Sequence, residues 1–389
     1  MKRIQGLFLG LFSLALATTV CTQNNYPELS RFDSGARHWY GIFDEVRMIE
    51  PLPDQKQYNR RQITQIADNI LLFQKDNGGW PKNYDMKAIL TEDQKSVVKA
   101  HKQELNTTFD NGATHSQMTY LAEVYTITGT ERYKSAFLKG LDYIFQAQYD
   151  NGGWPQFYPD TSGYRQYITF NDDAMIGILD MFQNIIQGSP EYAFVDDSLR
   201  MKIHHAYRKG IDCVLRCQIV ENGVKTAWCQ QHDQLDSSPR DARTFEKASI
   251  CNQESAALTM LLMNDQHPDS AMIDAVESSI RWYRNSEIHG IRVKWIQADE
   301  EQFIYHRSNM DRMVVEDPDA PRIWARFYEL ETHVPIFCGR DGVVKYAMAD
   351  IDRDRRTGYG WYVYTPEEAY HQYDIWRKQW TPDRNLLAD

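Results

Sequence analysis

The sequence predicts an all-α fold, an α/α toroid or barrel of repeated helical hairpins, with a C-terminal part rich in loops and short strands. The first observation is an internal repeat, because Asn-Gly-Gly-Trp-Pro at 77–81 recurs 74 residues later at 151–155. The second is an amphipathic helix pattern before each copy. The third is the period itself, since helical solenoids typically repeat every 34 to 47 residues or so. Helix pairs at this longer spacing indicate a ring of hairpins.

Each repeat begins with a predicted amphipathic helix. Apolar side chains fall three or four residues apart in the first two copies: Ile63, Ile66, Ile70 and Phe73, then Tyr133, Phe137, Leu141, Ile144 and Phe145. Asn-Gly-Gly then ends the helix, because glycine adopts the left-handed C′ conformation at little cost and proline cannot continue a helix. A third copy is indicated by Lys-Gly-Ile-Asp at 209–212, which echoes 139–142, and by a weaker turn at 222–223 with Trp228 downstream.

A second helix follows the connecting loop of each copy. We predict these helices over 115–128, 173–186 and 254–264, and a weaker one over 273–284. The Trp-Pro turns are interpreted as closing each hairpin rather than as platforms on which a ligand stacks, because they recur. The last 65 residues or so, rich in Gly, Tyr and Trp, are predicted to be loops and short strands laid over one end of the helical body.

The N-terminus is predicted to be a targeting segment. Lys2 and Arg3 precede an uncharged apolar run at 7–17, and small residues follow it, which is typical of a secretory signal peptide over residues 1–20. We therefore expect export to the periplasm or the exterior, with a lipid anchor at Cys21 as an open alternative. No later stretch approaches transmembrane length.

The remaining chain is interpreted as an irregular lead-in over 21–59 and one domain over 60–389. The 43 basic and 54 acidic side chains give a net charge of −11, which excludes a general binder of nucleic acid or anionic membranes. The apolar fraction of 42% excludes disorder. Six cysteines are too few for a disulfide scaffold, and Cys213 and Cys217 favour core packing or a disulfide over a metal pair.

Polar residues concentrate just before the second helix of each copy. The three clusters lie at 106–114, 169–175 and 243–254. In a toroid equivalent loops gather at one rim, so these clusters should meet and form the functional site.

Two of these clusters contain the oxygen ligands that Ca²⁺ prefers. Asp110, Asn111, Asp172 and Asp173 supply carboxylate and amide oxygens from two loops. Asp and Asn before a helix are also common N-caps, and Asp173 fits that alternative best because Ala-Met follows it.

Three arginines supply positive charge among aromatic or apolar neighbours. Arg243, Arg326 and Arg340 suit either structural ion pairs, with Glu246, Glu329 or Asp341 as partners, or the carboxylates of an acidic sugar, which the guanidinium fork matches in bidentate fashion.

In these motifs the chain resembles the family 10 pectate lyases among the polysaccharide lyases. Besides Asn-Gly-Gly-Trp-Pro, the matching segments are Thr-Thr-Phe-Asp-Asn-Gly-Ala-Thr at 107–114, Phe-Asn-Asp-Asp-Ala-Met at 170–175, Ala-Arg-Thr-Phe-Glu at 242–246, Trp-Ala-Arg-Phe-Tyr-Glu at 324–329 and Phe-Cys-Gly-Arg-Asp-Gly at 337–342. They run in order through residues 60–365. The resemblance implies an α/α toroid, and an exported enzyme that cleaves α-1,4-linked polygalacturonate by Ca²⁺-assisted β-elimination with a 4,5-unsaturated product.

The resemblance also implies roles for single residues. Asp110, Asn111 and Asp172 would bind Ca²⁺, and Arg243 would be the Brønsted base. Arginine has a pKa above 12, so we expect desolvation and neighbouring positive charge to lower it and activity to be favoured by alkaline pH.

Substrate contacts are assigned to four further side chains. Arg326 and Arg340 would hold carboxylates of the sugar, and Asp173 and Lys345 are also assigned to substrate binding. The chain departs from the family at 249–255, where Ser-Ile-Cys-Asn-Gln-Glu-Ser replaces a Ser/Gly-rich stretch.

Two other functions stay open from the residues alone. One is an inverting glycoside hydrolase with Asp110 and Asp172 as acid and base. The other is a non-catalytic surface protein that binds acidic glycans through tryptophans and arginines. In every case we expect a monomer.

Overall fold

A computed structural model describes residues 26–42 and 47–388. The predicted signal peptide and Cys21 lie outside these residues. The helices are α1 (Asp33–Gly41), α2 (Ile63–Phe73), α3 (Glu92–Ala100), α4 (His115–Thr128), α5 (Glu131–Ala147), α6 (Ala174–Ile186), α7 (Asp197–Cys217), α8 (Asn252–Met263), α9 (Ser270–Asn285), α10 (Arg353–Gly358) and α11 (Thr365–Trp380). The strands are β1 (Ile168–Thr169), β2 (Val220–Glu221), β3 (Val224–Lys225), β4 (Gln231–His232), β5 (Ile250–Cys251), β6 (Ile291–Gln302), β7 (Arg307–Glu316), β8 (Trp324–Ala325), β9 (Phe327–Tyr328), β10 (Phe337–Cys338), β11 (Val344–Lys345) and β12 (Tyr362–Val363).

The helices form two layers. Helices α4, α6 and α8 pack beside one another, and each packs against the helix that follows it, α5, α7 or α9. Helix α11 packs against α8 and α9. The second-helix predictions are confirmed, since α4 spans the predicted residues and α6 and α8 begin within two residues of their predicted starts. Helix α1 lies inside the segment that was expected to be an irregular lead-in.

Burial explains why the two layers differ in sequence. Helix α8 is buried at most of its positions, so it shows no single apolar stripe. Helix α5 buries one stripe with Tyr133, Phe137, Leu141 and Ile144 and exposes its opposite face. Each such apolar side chain contributes roughly 1.5–3 kcal/mol when fully buried.

The repeated tryptophans close the hairpins. Trp80, Trp154 and Trp228 lie 74 residues apart and are fully buried, so the alternative of exposed ligand platforms is wrong. Each indole N–H donates to a carbonyl oxygen of the preceding helix at 2.7–2.9 Å; the acceptors are Ile70, Ile144 and Val214. The weaker third turn thus keeps the contact of the first two.

The prediction of an all-α toroid is wrong. Strands β6 and β7 form a long antiparallel hairpin of twelve and ten residues, and five further two-stranded pairs lie among the described residues. The contacts join α4, α6, α8 and α11 in series, and no closed ring is shown. Strand β6 begins Ile-Arg-Val-Lys-Trp, an alternation with a period of two that indicates a strand rather than a helix.

The C-terminal prediction holds only in part. Short strands β8 to β12 are present, as expected, but α11 is a full helix. It buries Ala369, Tyr370, Tyr373 and Trp376 at helical spacing. Because these residues pack on α8, the last helix belongs to the helical body rather than to a cover over one end.

The long hairpin is anchored on α10. Arg356 donates two hydrogen bonds to the Asp311 carboxylate at 2.9 and 2.7 Å, and Arg353 donates to the carbonyl oxygens of Met310 and Ser308. The bidentate pair fixes both distance and orientation. The hairpin is therefore held against the segment that carries α10.

The described cysteines are buried and free. Cys213, Cys217, Cys229, Cys251 and Cys338 form no disulfide, so of the two structural interpretations of Cys213 and Cys217 only core packing is present. Within residues 26–42 and 47–388, no helix has the length and apolar character needed to cross a bilayer.

Candidate active site

Two short 3-10 turns meet at the N-terminal ends of α4 and α6. They span Asp110–Gly112 and Asn171–Asp173 and contact each other. Their backbones match, since Asn111 and Asp172 have φ of 54° and 50°, followed by left-handed φ at the next residue in both turns. Asn and Asp tolerate this conformation better than most residues, and such strained positions cluster at functional sites.

Asp110 is buried with one carboxylate oxygen unused. Its Oδ2 lies 2.5 Å from the Lys82 ammonium, whereas its Oδ1 is buried and accepts no hydrogen bond of normal geometry. Burial alone would raise the pKa of this carboxyl, but Lys82 and then Arg243 hold it below its ordinary value. Asp110 is therefore charged, with a free lone-pair direction.

Asp172 lies in the second turn and titrates differently. Its Oδ2 accepts a hydrogen bond from the Asn171 amide at 2.8 Å, and the residue is exposed to solvent. Desolvation by the surrounding protein and the negative charge of Asp110 raise the pKa of Asp172 to about 7, against the opposing influence of Arg326 and Arg243. The two carboxylates thus repel each other.

The two turns bring together oxygen donors of the kind that a hard divalent cation takes, although the described residues contain no group of three or more His, Cys, Asp and Glu side chains that could hold a metal. Asp110 Oδ1 is an orphaned buried acceptor, Asp172 is destabilised in its charged form by its neighbour, and Asn111 adds an amide whose Nδ2 donates to Asn83. Carboxylate and amide oxygens are typical ligands of Ca²⁺, and a cation would relieve the repulsion between the two carboxylates. Lys82 now supplies part of that positive charge.

Arg243 is forked onto Glu246. Its Nε and Nη2 donate to the two carboxylate oxygens at 2.8 and 2.5 Å, and its side chain remains 43% exposed. Desolvation would lower the pKa of Arg243, but the Glu246 carboxylate outweighs it and holds that pKa well above its usual value. The expectation of a lowered pKa for Arg243 is therefore wrong.

Arg326 lies deeper, in a hydrogen-bond network. Its Nη2 donates to Glu254 Oε1 and, at 3.1 Å, to Asn171 Oδ1. Gln230 donates to the same two acceptors, and the Tyr359 hydroxyl donates to Glu246 at 2.9 Å. The predicted partner of Arg326, Glu329, is thus replaced by Glu254. Through this network the third polar cluster joins the first two.

Arg340 is held by a carboxylate that the sequence did not single out. Asp354 accepts from Nε and Nη2 of Arg340 and also from Arg355 at 3.0 Å, so the predicted pairing with Asp341 is wrong. The guanidinium groups of Arg243, Arg340 and Arg355 lie 4.8, 5.8 and 4.7 Å from the centre of the Phe245 ring. Burial, together with Arg340 and Arg243, lowers the pKa of Arg355.

Arg355 was missed because its signal is local and ambiguous. It stands in Asp-Arg-Asp-Arg-Arg at 352–356, a pattern that equally describes an exposed charged helix. Only the fold turns one of these arginines toward Phe245.

Two predicted residues, Lys345 and Asp173, share no hydrogen bond with this arginine cluster among the described residues. Lys345 lies on β11 opposite Phe337, and within the described residues it makes no hydrogen bond or ion pair with the site arginines. Asp173 occupies the N-cap position of α6, but its φ is 61° and its side chain makes no capping hydrogen bond. Burial and then Glu254 raise the pKa of Asp173. The N-cap alternative is therefore wrong for its side chain.

Comparisons with known proteins match this chain to one family. A family model described as pectic acid lyase matches residues 74–369. The solved structure of a family 10 polysaccharide lyase from Cellvibrio cellulosa is 29% identical with a TM-score of 0.69, covering 81% of this chain and 92% of that chain. A mutant of that enzyme in complex with trigalacturonic acid gives a TM-score of 0.70 at the same identity and coverage. No curated protein matches the chain.

Proposed function

The chain belongs to the pectic acid lyase family and is a polysaccharide lyase, and we propose that it cleaves α-1,4-linked polygalacturonate by Ca²⁺-assisted β-elimination. The observation that carries the proposal is that two contacting turns rich in oxygen donors lie beside arginines, since Arg326 donates to Asn171 in the second turn and Arg243 acts on the charges of both Asp110 and Asp172. Membership in a lyase family leaves the glycoside hydrolase and the non-catalytic binder without support.

Ca²⁺ is proposed at Asp110, Asn111 and Asp172. The orphaned Asp110 Oδ1 and the repulsion between the two carboxylates support this assignment. A bound cation would polarise the substrate carboxylate beside C5 and stabilise the negative charge that builds there as the proton leaves. Lys82 must give up part of its contact with Asp110 for the cation to bind there.

Arg243 is proposed as the Brønsted base. It would take the C5 proton of galacturonate, so that the C4–O bond breaks, the electrons form the C4–C5 double bond and the leaving oxygen takes a proton from solvent. Glu246 and Asp172 both favour the charged form of Arg243. A cation on Asp172 cancels the second influence, so occupancy of the metal site and alkaline pH both favour the neutral base.

Arg340 and Arg326 are proposed to hold substrate carboxylates. Arg340 is the better placed, because Asp354 occupies its Nε and Nη2 and no described residue accepts from Nη1. Arg326 is only 12% exposed and already serves Glu254, so a sugar carboxylate would share it. Asp173 and Lys345 stay proposals for more distant sugar contacts.

The test is an ultraviolet assay on polygalacturonate with and without a chelator. Elimination creates a conjugated double bond that absorbs, and the chelator should abolish the increase. Reducing ends without absorbance would show hydrolysis, and binding without either would show a non-catalytic protein.

Export is a separate proposal. The basic start and apolar run support cleavage near residue 20 and release to the periplasm or exterior, with lipid at Cys21 as the alternative. N-terminal sequencing and mass measurement of the protein purified from its native source distinguish release from lipid anchoring. Light scattering checks the expected monomer.

A further inference from the structure

The tip of the β6–β7 hairpin reaches the site arginines. The Nδ1 atom of His306 lies 3.5 Å from Asp354 Oδ1, and its Nε2 atom lies 3.2 Å from the Thr357 hydroxyl. The ring of Tyr305 lies 5.0 Å from the Arg340 guanidinium. The hairpin tip and the residue that holds Arg340 are therefore one packed unit.

Tyr305 keeps a free aromatic surface at this point. It is 38% exposed although Arg340 lies over its ring. The guanidinium has Phe245 within 5.8 Å as well, so two aromatic rings and Asp354 restrict its orientation.

The chemistry of that surface matches a uronic acid. A pyranose ring has a face of C–H groups that packs on an aromatic ring, whereas its carboxylate needs a cationic hydrogen-bond donor. Tyr305 supplies the ring, and Arg340, whose guanidinium lies 5.0 Å from the centre of that ring, supplies the donor. Neighbouring Ile304 is also exposed, but it offers no flat face.

We propose that Tyr305 forms a sugar subsite beside Arg340, stacking on a galacturonate unit whose carboxylate is held by Arg340. This inference rests on the proposed function, because it takes the substrate class from it. Through this subsite the β6–β7 hairpin contributes to substrate affinity. The hydrogen bonds between the hairpin and α10 keep the Tyr305 ring in place.

The experiment compares Tyr305→Ala, Tyr305→Phe and the neighbouring control Ile304→Ala in steady-state cleavage of polygalacturonate. Tyr305→Ala should raise KM roughly tenfold, as truncation of a stacking residue typically does, with kcat within about twofold. Tyr305→Phe keeps the flat face and should retain the wild-type KM. Ile304→Ala should also retain it, and circular dichroism should show all three folded.

Three results would overturn the proposal: an unchanged KM in Tyr305→Ala, a loss in Tyr305→Phe as large as in Tyr305→Ala, or an equal loss in Ile304→Ala. If the wild-type protein forms no unsaturated product, the proposed function fails instead. Calorimetric binding of trigalacturonic acid then tests the subsite without turnover. Weaker binding by Tyr305→Ala than by Ile304→Ala supports the subsite, and equal binding contradicts it.

Discussion

At the scale of single residues, the site is organised by competition for charge. Glu246 forks onto Arg243, Lys82 approaches Asp110, and Asp110 raises the pKa of Asp172. Arg243 is therefore held in its charged form and Asp172 is shifted toward its neutral form, whereas Asp110 stays charged. Such opposed pairs are typical of active sites, where environments push the pKa values of neighbouring groups apart.

Arg243→Ala should lower kcat by roughly 10³-fold or more while substrate still binds, because a positioned base typically contributes 10²–10⁴-fold. Arg243→Lys is the charge-retaining comparison and should also lose turnover, since an ammonium cannot form the fork with Glu246. The measurement is turnover by ultraviolet absorbance together with calorimetric binding of an oligogalacturonate. Near-normal turnover in Arg243→Ala would show that another group takes the proton.

Asp110→Asn should weaken Ca²⁺ binding by tenfold or more, because it removes the charge that meets the cation and typically costs more than about 1.4 kcal/mol. Calorimetric titration with Ca²⁺ alone checks this without turnover.

Lys82→Met is the opposing variant and should tighten Ca²⁺ binding, since the ammonium at 2.5 Å no longer competes. An unchanged titration in both variants would return Asp110 to a purely structural role.

His232 makes stability dependent on pH. Its Nε2 accepts from the Cys229 N–H at 3.1 Å and its Nδ1 donates to the Ser237 carbonyl at 2.9 Å, so only the neutral ring satisfies both contacts. Burial lowers the pKa of His232 to about 4, from 6.5. The unfolded chain therefore binds the proton more readily between these values, and the stabilising contribution present above pH 6.5 is lost as pH falls toward 4.

His232→Gln should flatten the stability profile on the acid side. Relative to wild type, the fall in unfolding free energy between pH 6.5 and 4 should be smaller by up to about 3 kcal/mol, at 1.36 kcal/mol per pKa unit. Denaturant unfolding at several pH values measures it. Parallel profiles would mean that His232 is not held neutral by the fold.

At the scale of elements, a joint recurs between successive hairpins. Gln148 donates to the carbonyl oxygens of Gly152 at 3.0 Å and Ala206 at 2.9 Å, which links its own turn to the next outer helix. Gln74 and Gln218 make the corresponding pair of contacts in the other copies. The glutamine amide donates hydrogen bonds to buried carbonyl oxygens, which water would otherwise need to satisfy.

Gly152→Ala should destabilise the protein by about 2–4 kcal/mol, combining the cost of left-handed backbone with that of overpacking. Its φ is 93°, and a Cβ there would overlap the Lys209 carbonyl. Gly188→Ala is the control, since its φ is 81° but nothing lies within 4 Å, so only about 1–2 kcal/mol is expected. Equal losses in thermal or denaturant unfolding would contradict the contact.

At the scale of the whole molecule, a net charge of −11 opposes a polyanionic substrate. Beyond a Debye length of roughly 8 Å that charge is largely screened, so the local groups decide. Arg243, Arg326, Arg340 and Arg355 lie together beside the proposed cation pocket. The net charge therefore bears on solubility and on binding to nucleic acid, but not on the sign of the charge around these arginines.

Much of the helical body could be predicted from the sequence because its signals are local. The spacing of apolar residues, the glycine turns and the 74-residue repeat each act within a few turns of helix, so α4, α6 and α8 were located within two residues. The same repeat indicated that the polar loops before α4 and α6 lie near each other. The family motifs carried the proposed roles of Asp110, Asp172 and Arg243.

The tertiary structure alone decided the fold class and the partners of the arginines. The all-α prediction is wrong because of the long hairpin. A repeat in one part of a chain carries no information about the secondary structure of the part that follows it. Glu254 lies 72 residues from Arg326, and the ring of Tyr305 meets Arg340 from 35 residues away. Sequence neighbours such as Glu329 and Asp341 were wrong partners because an ion pair depends on distance in space, which packing of the whole chain sets.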